Sequence, residues 1–205
     1  QLAVVILILT AVLIVASYFL YVDLSRKNRV NKELQIIASE DALTGLFNRR
    51  AFDEKILSEI ARCAADNSPI SVLIVDADFF KKYNDNYGHP EGDRCLSLLG
   101  ECLRKSLTRN NQIVARYGGE EFALILPDTD IEEACRLGKS IIRNVCSLNI
   151  EHDFSPFGRV TVSVGVSTAR AVEIAGSQQN IIIAADRALY QAKRAGRNQH
   201  AFIGV

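Results

Sequence analysis

The segment Arg116-Tyr117-Gly118-Gly119-Glu120-Glu121-Phe122 places two adjacent glycines before two adjacent carboxylates, between two apolar runs. The runs at 112–115 and 122–126 have the composition of β-strands, so they predict a hairpin with the two glycines at its tip. A tip without side chains allows a ligand to approach the backbone closely. The alternative is that the glycines only form the turn and the glutamates only solvate it. The rest of the chain decides between these interpretations.

The length and charge of the chain limit its function classes. Its 205 residues suffice for one domain with a core and an additional tail. Lys and Arg number 24, as do Asp and Glu, so the formal net charge is +0. A neutral chain lacks the broad basic surface of nucleic-acid-binding proteins, and no nucleic-acid partner is expected. Recognition of phosphate groups must therefore be local.

The cysteines and the first residue bear on compartment and completeness. The 5 cysteines are odd in number and include no Cys-x-x-Cys pair. They predict free thiols in a reducing compartment rather than a disulfide or zinc framework. The chain begins at Gln1 and contains no methionine, so we expect a fragment whose N-terminus lies upstream.

The N-terminal stretch is uncharged and rich in Val, Ile, Leu and Ala. Its length and composition predict a transmembrane helix over 1–22. A signal peptide is the alternative, but it would have a shorter apolar core, a preceding basic segment and a small-residue cleavage site. The positive-inside rule predicts an inner-membrane protein with its remaining chain in the cytoplasm. The basic residues that follow the span are Arg26, Lys27, Arg29 and Lys32.

Residues 23–40 are predicted to form a juxtamembrane helical linker. Val30, Leu34 and Ile37 are spaced four and three apart, which is the pattern of a short coiled coil able to pair with a second copy. A single frayed helix explains three such positions equally well. Residues 41–205 then hold the main domain.

The apolar pattern of the main domain predicts alternating helices and strands. Apolar periodicity predicts helices over 51–65, 79–86, 91–107, 130–148 and 179–195. Strands are predicted over 70–75, 112–115, 122–126 and 160–166, with an edge strand over 200–203. The helical spacing puts Leu57 and Leu98 on buried faces. The center of this order is βαββαβ, which predicts an α+β fold with a ferredoxin-like core behind the membrane and linker helices.

Two acidic positions lie at strand ends that this topology brings together. In a ferredoxin-like core the end of the first strand, at Asp76, lies beside the hairpin and near Glu120. Two carboxylates and a backbone carbonyl, such as that of Ala77, suit Mg²⁺, which takes oxygen ligands and commonly retains phosphate oxygens. The residues therefore predict a magnesium site that binds a nucleotide.

Phosphate groups have two candidate anchors nearby. The short helix that starts near Phe79 offers free amides from Phe79, Phe80 and Lys81, which form an anion site by dipole and geometry. Lys193 and Arg197 lie one turn apart at the end of the last helix and can reach the same phosphates. Their alternative role is to complement the helix dipole without a ligand.

Several motifs together resemble the GGDEF domain family of diguanylate cyclases. They run from about residue 39 to the C-terminus in the order and spacing of the family. The matching segments are Asp41-x-Leu-Thr-Gly-Leu-x-Asn-Arg-Arg50, Asp76-x-Asp-x-Phe-Lys-x-x-Asn84-Asp-x-x-Gly88-His89-x-x-Gly92-Asp93, Arg116-Tyr-Gly-Gly-Glu-Glu-Phe122 and Tyr190-x-Ala-Lys193-x-x-Gly-Arg197-Asn198. The resemblance favours the active-site interpretation of the hairpin.

The resemblance implies an enzyme that joins two GTP molecules into cyclic di-GMP and releases pyrophosphate twice. Each subunit of a homodimer would hold one GTP, and Gly118 and Gly119 would keep the hairpin thin enough for the nucleotides to meet. The implied ligands of Mg²⁺, with Mn²⁺ as an alternative, are Asp76, the carbonyl of Ala77 and Glu120. Glu121 matches a second acidic position that is either a metal ligand or a base.

The resemblance also implies the contacts to GTP. Asn84 and Asp93 match the positions that read guanine. A carboxylate can accept from the N1–H and N2–H pair of guanine, which adenine lacks. The remaining implied contacts are Phe79, Phe80, Lys81, His89, Lys193 and Arg197.

The sequence departs from the family pattern at three places. Ala77 replaces a larger apolar residue, which is harmless if only its carbonyl binds. Pro90 follows His89 and should stiffen the turn before Asp93. The product-inhibition motif Arg-x-x-Asp occurs here as Arg109-Asn110-Asn111-Gln112, so we expect weak or absent inhibition by cyclic di-GMP at this degenerate site.

Two other interpretations compete with an active enzyme. The domain could bind nucleotide without catalysis and act as a receptor, or it could only dimerise a signalling arm. Receptor domains of this kind usually carry a degraded Gly-Gly-acid-Glu-Phe turn, whereas the turn here is intact. An active membrane-bound cyclase is therefore the leading hypothesis.

Overall fold

The computed structural model describes residues 17–23, 26, 39–173 and 179–204. The chain divides into two units, Gln1–Ser39 and Glu40–Val205. In the first unit residues 17–23 are helical.

The predicted membrane span and the predicted helical seam fall largely outside the residues that the structure describes. Most of the expected span over 1–22, and all of the expected seam Val30, Leu34 and Ile37, lie outside the described residues. Within the described part of the chain, every helix is too short or too polar to cross a membrane.

The second unit contains six strands and five helices among its described residues. The strands are β1 (Phe47–Asn48), β2 (Pro69–Ala77), β3 (Ile113–Arg116), β4 (Glu121–Pro127), β5 (Val162–Arg170) and β6 (His200–Gly204). The helices are α1 (Arg49–Ala65), α2 (Phe80–Tyr87), α3 (His89–Ser106), α4 (Ile131–Ser147) and α5 (Gln179–Arg194).

The strands form one mixed sheet in the order β1-β3-β4-β2-β5-β6. The central strand β2 is antiparallel to both β4 and β5. The outer strands β1 and β6 pair in parallel with β3 and β5. The fold is α+β, as predicted, and its four inner strands have the order of a ferredoxin-like βαββαβ core.

Three local expectations about the backbone need correction. The two-residue strand β1 lies where no strand was expected. The strand β2 continues through Asp76 and Ala77, so Asp76 lies inside a strand rather than in a loop. His89 and Pro90 open α3 rather than forming a stiff turn. A helix accepts proline in its first turn because the amide there has no partner to lose.

Two apolar clusters fill the two sides of the sheet. Residues such as Leu73 and Leu99 belong to the cluster beneath α3 and α4. Residues such as Val72 and Leu189 belong to the cluster beneath α1 and α5. Because helices cover both faces, β2 is apolar on both sides, which explains its continuous apolar run.

The helical periodicity overestimated the buried faces. Leu57 of α1 is 49% exposed and Leu98 of α3 is 36% exposed, although both were expected to point inward. A helix that covers one face of a sheet buries only part of its circumference. The five cysteines are free, as expected, and three of them are buried.

Gly165 brings β5 and α5 into backbone contact. A Cβ at this position would overlap the carbonyl oxygen of Ala185 and the amide nitrogen of Leu189. Backbone atoms cannot move aside as a flexible side chain can. Gly165→Ala is therefore expected to lower the free energy of unfolding by about 1–3 kcal/mol or more, measured by denaturant unfolding.

Gly138 of α4 is the matched control, because it faces the same strand from the other side. A Cβ there would lie 3.5 Å from the side chain of Val164, which is an ordinary contact. Alanine is favoured over glycine within helices, so Gly138→Ala is expected to raise the free energy of unfolding by about 0.5–1 kcal/mol. Equal effects of the two substitutions would contradict the packing described for Gly165.

Candidate active site

The glycines at the hairpin tip are not required by the backbone. Neither Gly118 nor Gly119 has φ in the left-handed region that favours glycine. A Cβ on Gly119 would meet no atom of the described residues within 4 Å, whereas a Cβ on Gly118 would lie 2.7 Å from Oε2 of Glu121. Formation of the turn therefore leaves glycine at position 119 unexplained. By lacking a side chain, Gly119 leaves free space at the tip of the hairpin.

The register of the sheet places Asp76 beside the hairpin, as the topology predicted. Asp76 lies directly opposite Glu121 in the β2–β4 ladder. The amide of Ala77 donates to the carbonyl of Glu120 at 3.3 Å. The cross-strand partner of Asp76 is therefore Glu121, while Glu120 lies one residue nearer the tip.

The carboxylate of Asp76 is held in an unfavourable environment for a negative charge. Its residue is 6% exposed, and one oxygen lies 2.8 Å from Nζ of Lys193. Burial raises the pKa of the Asp76 carboxyl, Lys193 opposes that shift, and the charges of Glu121 and Asp78 add to it. A cation near Asp76 would relieve both the burial of charge and the repulsion.

The donor set around Asp76 fits a magnesium ion only if other ligands complete it. In the described ranges, no three His, Cys, Asp or Glu side chains converge on one point. Mg²⁺ is usually held by one or two carboxylates, with substrate phosphates and water completing its shell. The carboxylates of Asp76 and the hairpin therefore fit a metal that binds together with a phosphate ligand.

Asp78 has a structural role that the sequence did not disclose. Its carboxylate is buried and accepts hydrogen bonds from the hydroxyls of Thr161 and Ser163, each at 2.7 Å. It also accepts from the amide of Asn198 at 3.0 Å. Three donors stabilise this buried charge. Asp78 thereby ties the end of β2 to β5 and to the loop after α5.

The predicted phosphate site lies at the start of α2. Phe79 occupies the N-cap position with φ of 58°, in the left-handed region, and its own side chain makes no capping hydrogen bond to the described residues of the helix. Among the described residues, the amides of Phe79, Phe80 and Lys81 have no hydrogen-bond acceptor. Free amides at a helix N-terminus form a site for anions.

The ring of Phe79 organises the basic groups around this helix start. The guanidinium of Arg197 lies 4.6 Å from the ring centroid, and Nζ of Lys82 lies 5.3 Å from it. Cations are attracted to aromatic faces. The structure thus brings Arg197 to the start of α2 and Lys193 to Asp76, as the phosphate hypothesis requires.

The predicted base-reading residues lie on α2 and α3. Oδ1 of Asn84 is buried without a hydrogen-bond partner among the described residues. Its neighbour is Gly92, where a Cβ would overlap that oxygen. Asp93 is exposed just after the first turn of α3, and His89 is exposed at the start of that helix without a described contact to the site. An unpaired buried amide oxygen on α2 and an exposed carboxylate on α3 fit a bound polar ligand.

Arg116 stabilises the hairpin by hydrogen bonds to its tip. It donates to the carbonyl of Gly119 through Nε at 3.1 Å and Nη2 at 2.8 Å. Its Nη1 pairs with Asp41 at 3.2 Å. Asp41 in turn accepts from the amide and hydroxyl of Thr44. The structure thus joins two sequence motifs, and it assigns Arg116 a role that sequence reasoning missed.

Arg109 and Gln112 of the degenerate inhibitory motif contact other residues of the chain. Arg109 pairs with Glu133 at 2.8 Å and donates to the carbonyl of Asp128 at 3.1 Å. Gln112 is 7% exposed, and its Oε1 accepts from the amides of Thr108 and Arg109. Asp130 caps α4 by accepting from the amide of Glu133 at 2.8 Å, while the Glu133 side chain binds Arg109. Gln112 is therefore buried in contacts within the chain, whereas Arg109 remains exposed while it pairs with Glu133.

Cyclic di-GMP is expected to inhibit the protein weakly or not at all at this motif. A hydrogen bond to a charged group contributes about 1.5–3 kcal/mol, so the missing carboxylate lowers affinity about ten- to a hundredfold. The dose–response curves of the wild type and Arg109→Ala are expected to coincide in an assay of turnover against added cyclic di-GMP. Tight inhibition that Arg109→Ala abolishes would contradict this expectation.

Comparison with known proteins gives a consistent result. The family described as "Diguanylate cyclase, GGDEF domain" matches residues 38–199. The diguanylate cyclase DgcM of Escherichia coli K12 is 37% identical over 177 residues, which cover 86% of this chain and 41% of that protein. The response regulator PleD of Caulobacter vibrioides is 39% identical over 186 residues, which cover 87% and 38%. The chain spans about two fifths of the length of these relatives.

Solved structures share the fold. The coiled coil and GGDEF domain of DgcB from Caulobacter crescentus, in complex with c-di-GMP, superposes with a TM-score of 0.78 at 28% identity and covers 89% of this chain and 94% of that one. The active GGEEF domain of a diguanylate cyclase from Vibrio cholerae gives a TM-score of 0.65 at 31% identity, with coverage of 77% and 97%.

Proposed function

We propose that this chain, which belongs to the diguanylate cyclase GGDEF domain family, condenses two molecules of GTP into cyclic di-GMP and releases two molecules of pyrophosphate. The observation that carries the proposal is the intact hairpin registered against Asp76. Beside it lie a helix start with free amides and the ammonium of Lys193. This combination suits a substrate with a polyphosphate chain.

In the proposed reaction the 3′-hydroxyl of one GTP attacks the α-phosphate of the other. An O3′–phosphorus bond forms, the bond from the α-phosphate to the bridging oxygen breaks, and pyrophosphate leaves. The hydroxyl proton passes to Glu121, which is half-exposed at the hairpin. The same step, repeated with the roles exchanged, closes the ring.

The chain's own groups bind and orient the substrate. The amides of Phe79–Lys81 and the cations of Lys193 and Arg197 hold the phosphates, and Asn84 and Asp93 read the guanine edge. Asp76, the carbonyl of Ala77 and Glu120 would hold Mg²⁺, for which Mn²⁺ can substitute. The metal supplies charge stabilisation and alignment for attack.

Catalysis in this proposal needs two subunits, because each supplies one GTP. The open space above Gly119 supports a face-to-face approach of two hairpins. A bimolecular active site makes the specific activity depend on protein concentration. We expect specific activity to rise with concentration until the dimer is saturated.

The proposal is tested by incubating the purified chain with GTP and Mg²⁺ over a range of protein concentrations. We expect cyclic di-GMP from the wild type and none above background from Glu120→Ala. Equal output from both proteins would refute the assignment. Nucleotide binding without product at any concentration would favour a receptor instead.

We also propose that residues 1–22 anchor the chain in the inner membrane, with the catalytic domain in the cytoplasm. The uncharged apolar composition of that stretch and the basic residues after it support this placement. Expressed in a bacterium, the chain is expected in the membrane fraction, and deletion of 1–22 is expected to release it. Recovery of both forms in the soluble fraction would contradict the anchor.

A further inference from the structure

A histidine outside all the motifs contacts the phosphate site through the backbone. His152 lies between α4 and β5 and is fully buried, at 0% exposure. Its Nε2 lies 3.3 Å from the carbonyl oxygen of Phe79. The rings of Tyr83 and Tyr87 pack edge-on against the imidazole, with centroids at 5.2 and 6.2 Å. The side chain is therefore enclosed by α2 and by the turn before it.

The surroundings of His152 indicate which of its ring nitrogens carries the proton. Nδ1 is buried and has no partner among the described residues. Burial lowers the pKa of His152, so the ring is neutral at physiological pH. A carbonyl oxygen can only accept, so the single ring proton lies on Nε2 and is donated to Phe79.

The segment that carries His152 is itself fixed. The amide of His152 donates to the carbonyl of Gly158 at 3.2 Å, and its carbonyl accepts from the amide of Ser155 at 3.0 Å. The next amide, that of Asp153, donates to the hydroxyl of Tyr87 at 3.0 Å. The imidazole is thus held on a closed loop that is also bonded to α2.

The carbonyl that His152 contacts belongs to the residue whose conformation defines the phosphate site. Phe79 has φ of 58°, which a residue other than glycine adopts only when its surroundings hold it there. Its carbonyl also accepts from the amide of Tyr83 at 3.1 Å, so two donors fix one oxygen. The same residue presents its ring to Arg197. A change at this peptide would redirect the free amides and the guanidinium together.

We infer that His152 is a positioning residue that holds the peptide of Phe79 in its left-handed conformation and so orients the phosphate-binding turn. The inference rests on the proposed function in that GTP is the ligand of the turn. Packing alone does not explain the imidazole. An apolar side chain of similar size would fill the same space without a buried, unpaired Nδ1.

Two substitutions separate hydrogen bonding from packing. His152→Leu fills the space but cannot donate, whereas the amide of His152→Gln can place a donor near the position of Nε2. His152→Leu is expected to raise KM for GTP and the dissociation constant of GTP about tenfold, with a smaller change in kcat. His152→Gln is expected to restore most of the affinity. Glu151→Gln, which changes an exposed side chain of the same segment, is expected to behave as the wild type.

Amide hydrogen exchange of the full-length chain provides a measure that needs no nucleotide. Loss of the donor in His152→Leu is expected to speed exchange at Tyr83, whose amide bonds to the Phe79 carbonyl, while the unfolding temperature stays unchanged or rises. Unchanged exchange, an unchanged KM, or equal impairment of the Leu and Gln variants would overturn the inference. Absence of cyclic di-GMP from the wild type would overturn the proposed function instead, and exchange would still show whether His152 holds the turn.

Discussion

Asp76→Asn is expected to lower the rate of cyclic di-GMP synthesis by about a hundredfold or more. The substitution keeps the shape of the side chain but removes the charge that pairs with Lys193 and faces Glu121. Without that charge, the site loses the carboxylate best placed to bind a cation together with the phosphates. The measurement is the initial rate of product formation at saturating GTP and Mg²⁺.

Thermal unfolding of the same variant separates catalysis from folding. Burial raises the pKa of Asp76 above its ordinary value. Such a carboxyl stabilises the fold only below its unfolded pKa, and the contribution is lost as pH rises through the folded pKa. At neutral pH the uncharged asparagine is therefore expected to leave Tm unchanged or to raise it.

The control for both measurements is Asp186→Asn, the same chemical change at an exposed position of α5. Its rate and its Tm are expected to match those of the wild type. A wild-type rate in Asp76→Asn would contradict the assigned site. A large fall in its Tm would show that the carboxylate serves the fold rather than the reaction.

Gly92→Ala is expected to raise KM for GTP about tenfold or more with the fold retained. A Cβ at this position overlaps Oδ1 of Asn84, which must then leave the place where we propose that it reads the base. Gly92 has no left-handed φ, so the backbone itself accepts alanine. The measurement is steady-state kinetics over a range of GTP concentrations.

Gly204→Ala serves as the control, because within the part of the chain that the structure describes a Cβ on that glycine meets no atom within 4 Å. Its KM is expected to equal that of the wild type. If Gly92→Ala also bound GTP normally, Asn84 would not be a base-reading residue. If it lost kcat and Tm together, the substitution would be reporting on the packing of α2 against α3.

Much of the fold follows from local patterns in the sequence. The apolar run of β2 is continuous because helices cover both faces of the sheet, and such runs are recognisable without a structure. The hairpin around Gly118 was predicted because two strand-like runs flank two glycines. The two-residue strand β1 was missed because so short a segment has no periodicity. Its pairing with β3 exists only in the folded sheet.

The site was predicted less completely than the fold. The topology predicted that Asp76 lies beside the hairpin. The place of Lys193 at a helix end predicted that it reaches the same site. The pairing of Arg116 with Asp41 joins residues that are 75 positions apart, and no local pattern predicts which partner such a group finds. His152 was passed over because a lone histidine in a loop carries no signal until its neighbours are known.

The most direct test of the central claim is the stoichiometry of the products. The full chain is incubated with GTP and Mg²⁺, the dinucleotide is identified by mass spectrometry, and pyrophosphate is quantified in parallel. We expect cyclic di-GMP with two pyrophosphates released for each molecule formed, and neither product from Glu120→Ala. Pyrophosphate without the cyclic dinucleotide, or the same yield from both proteins, would contradict it.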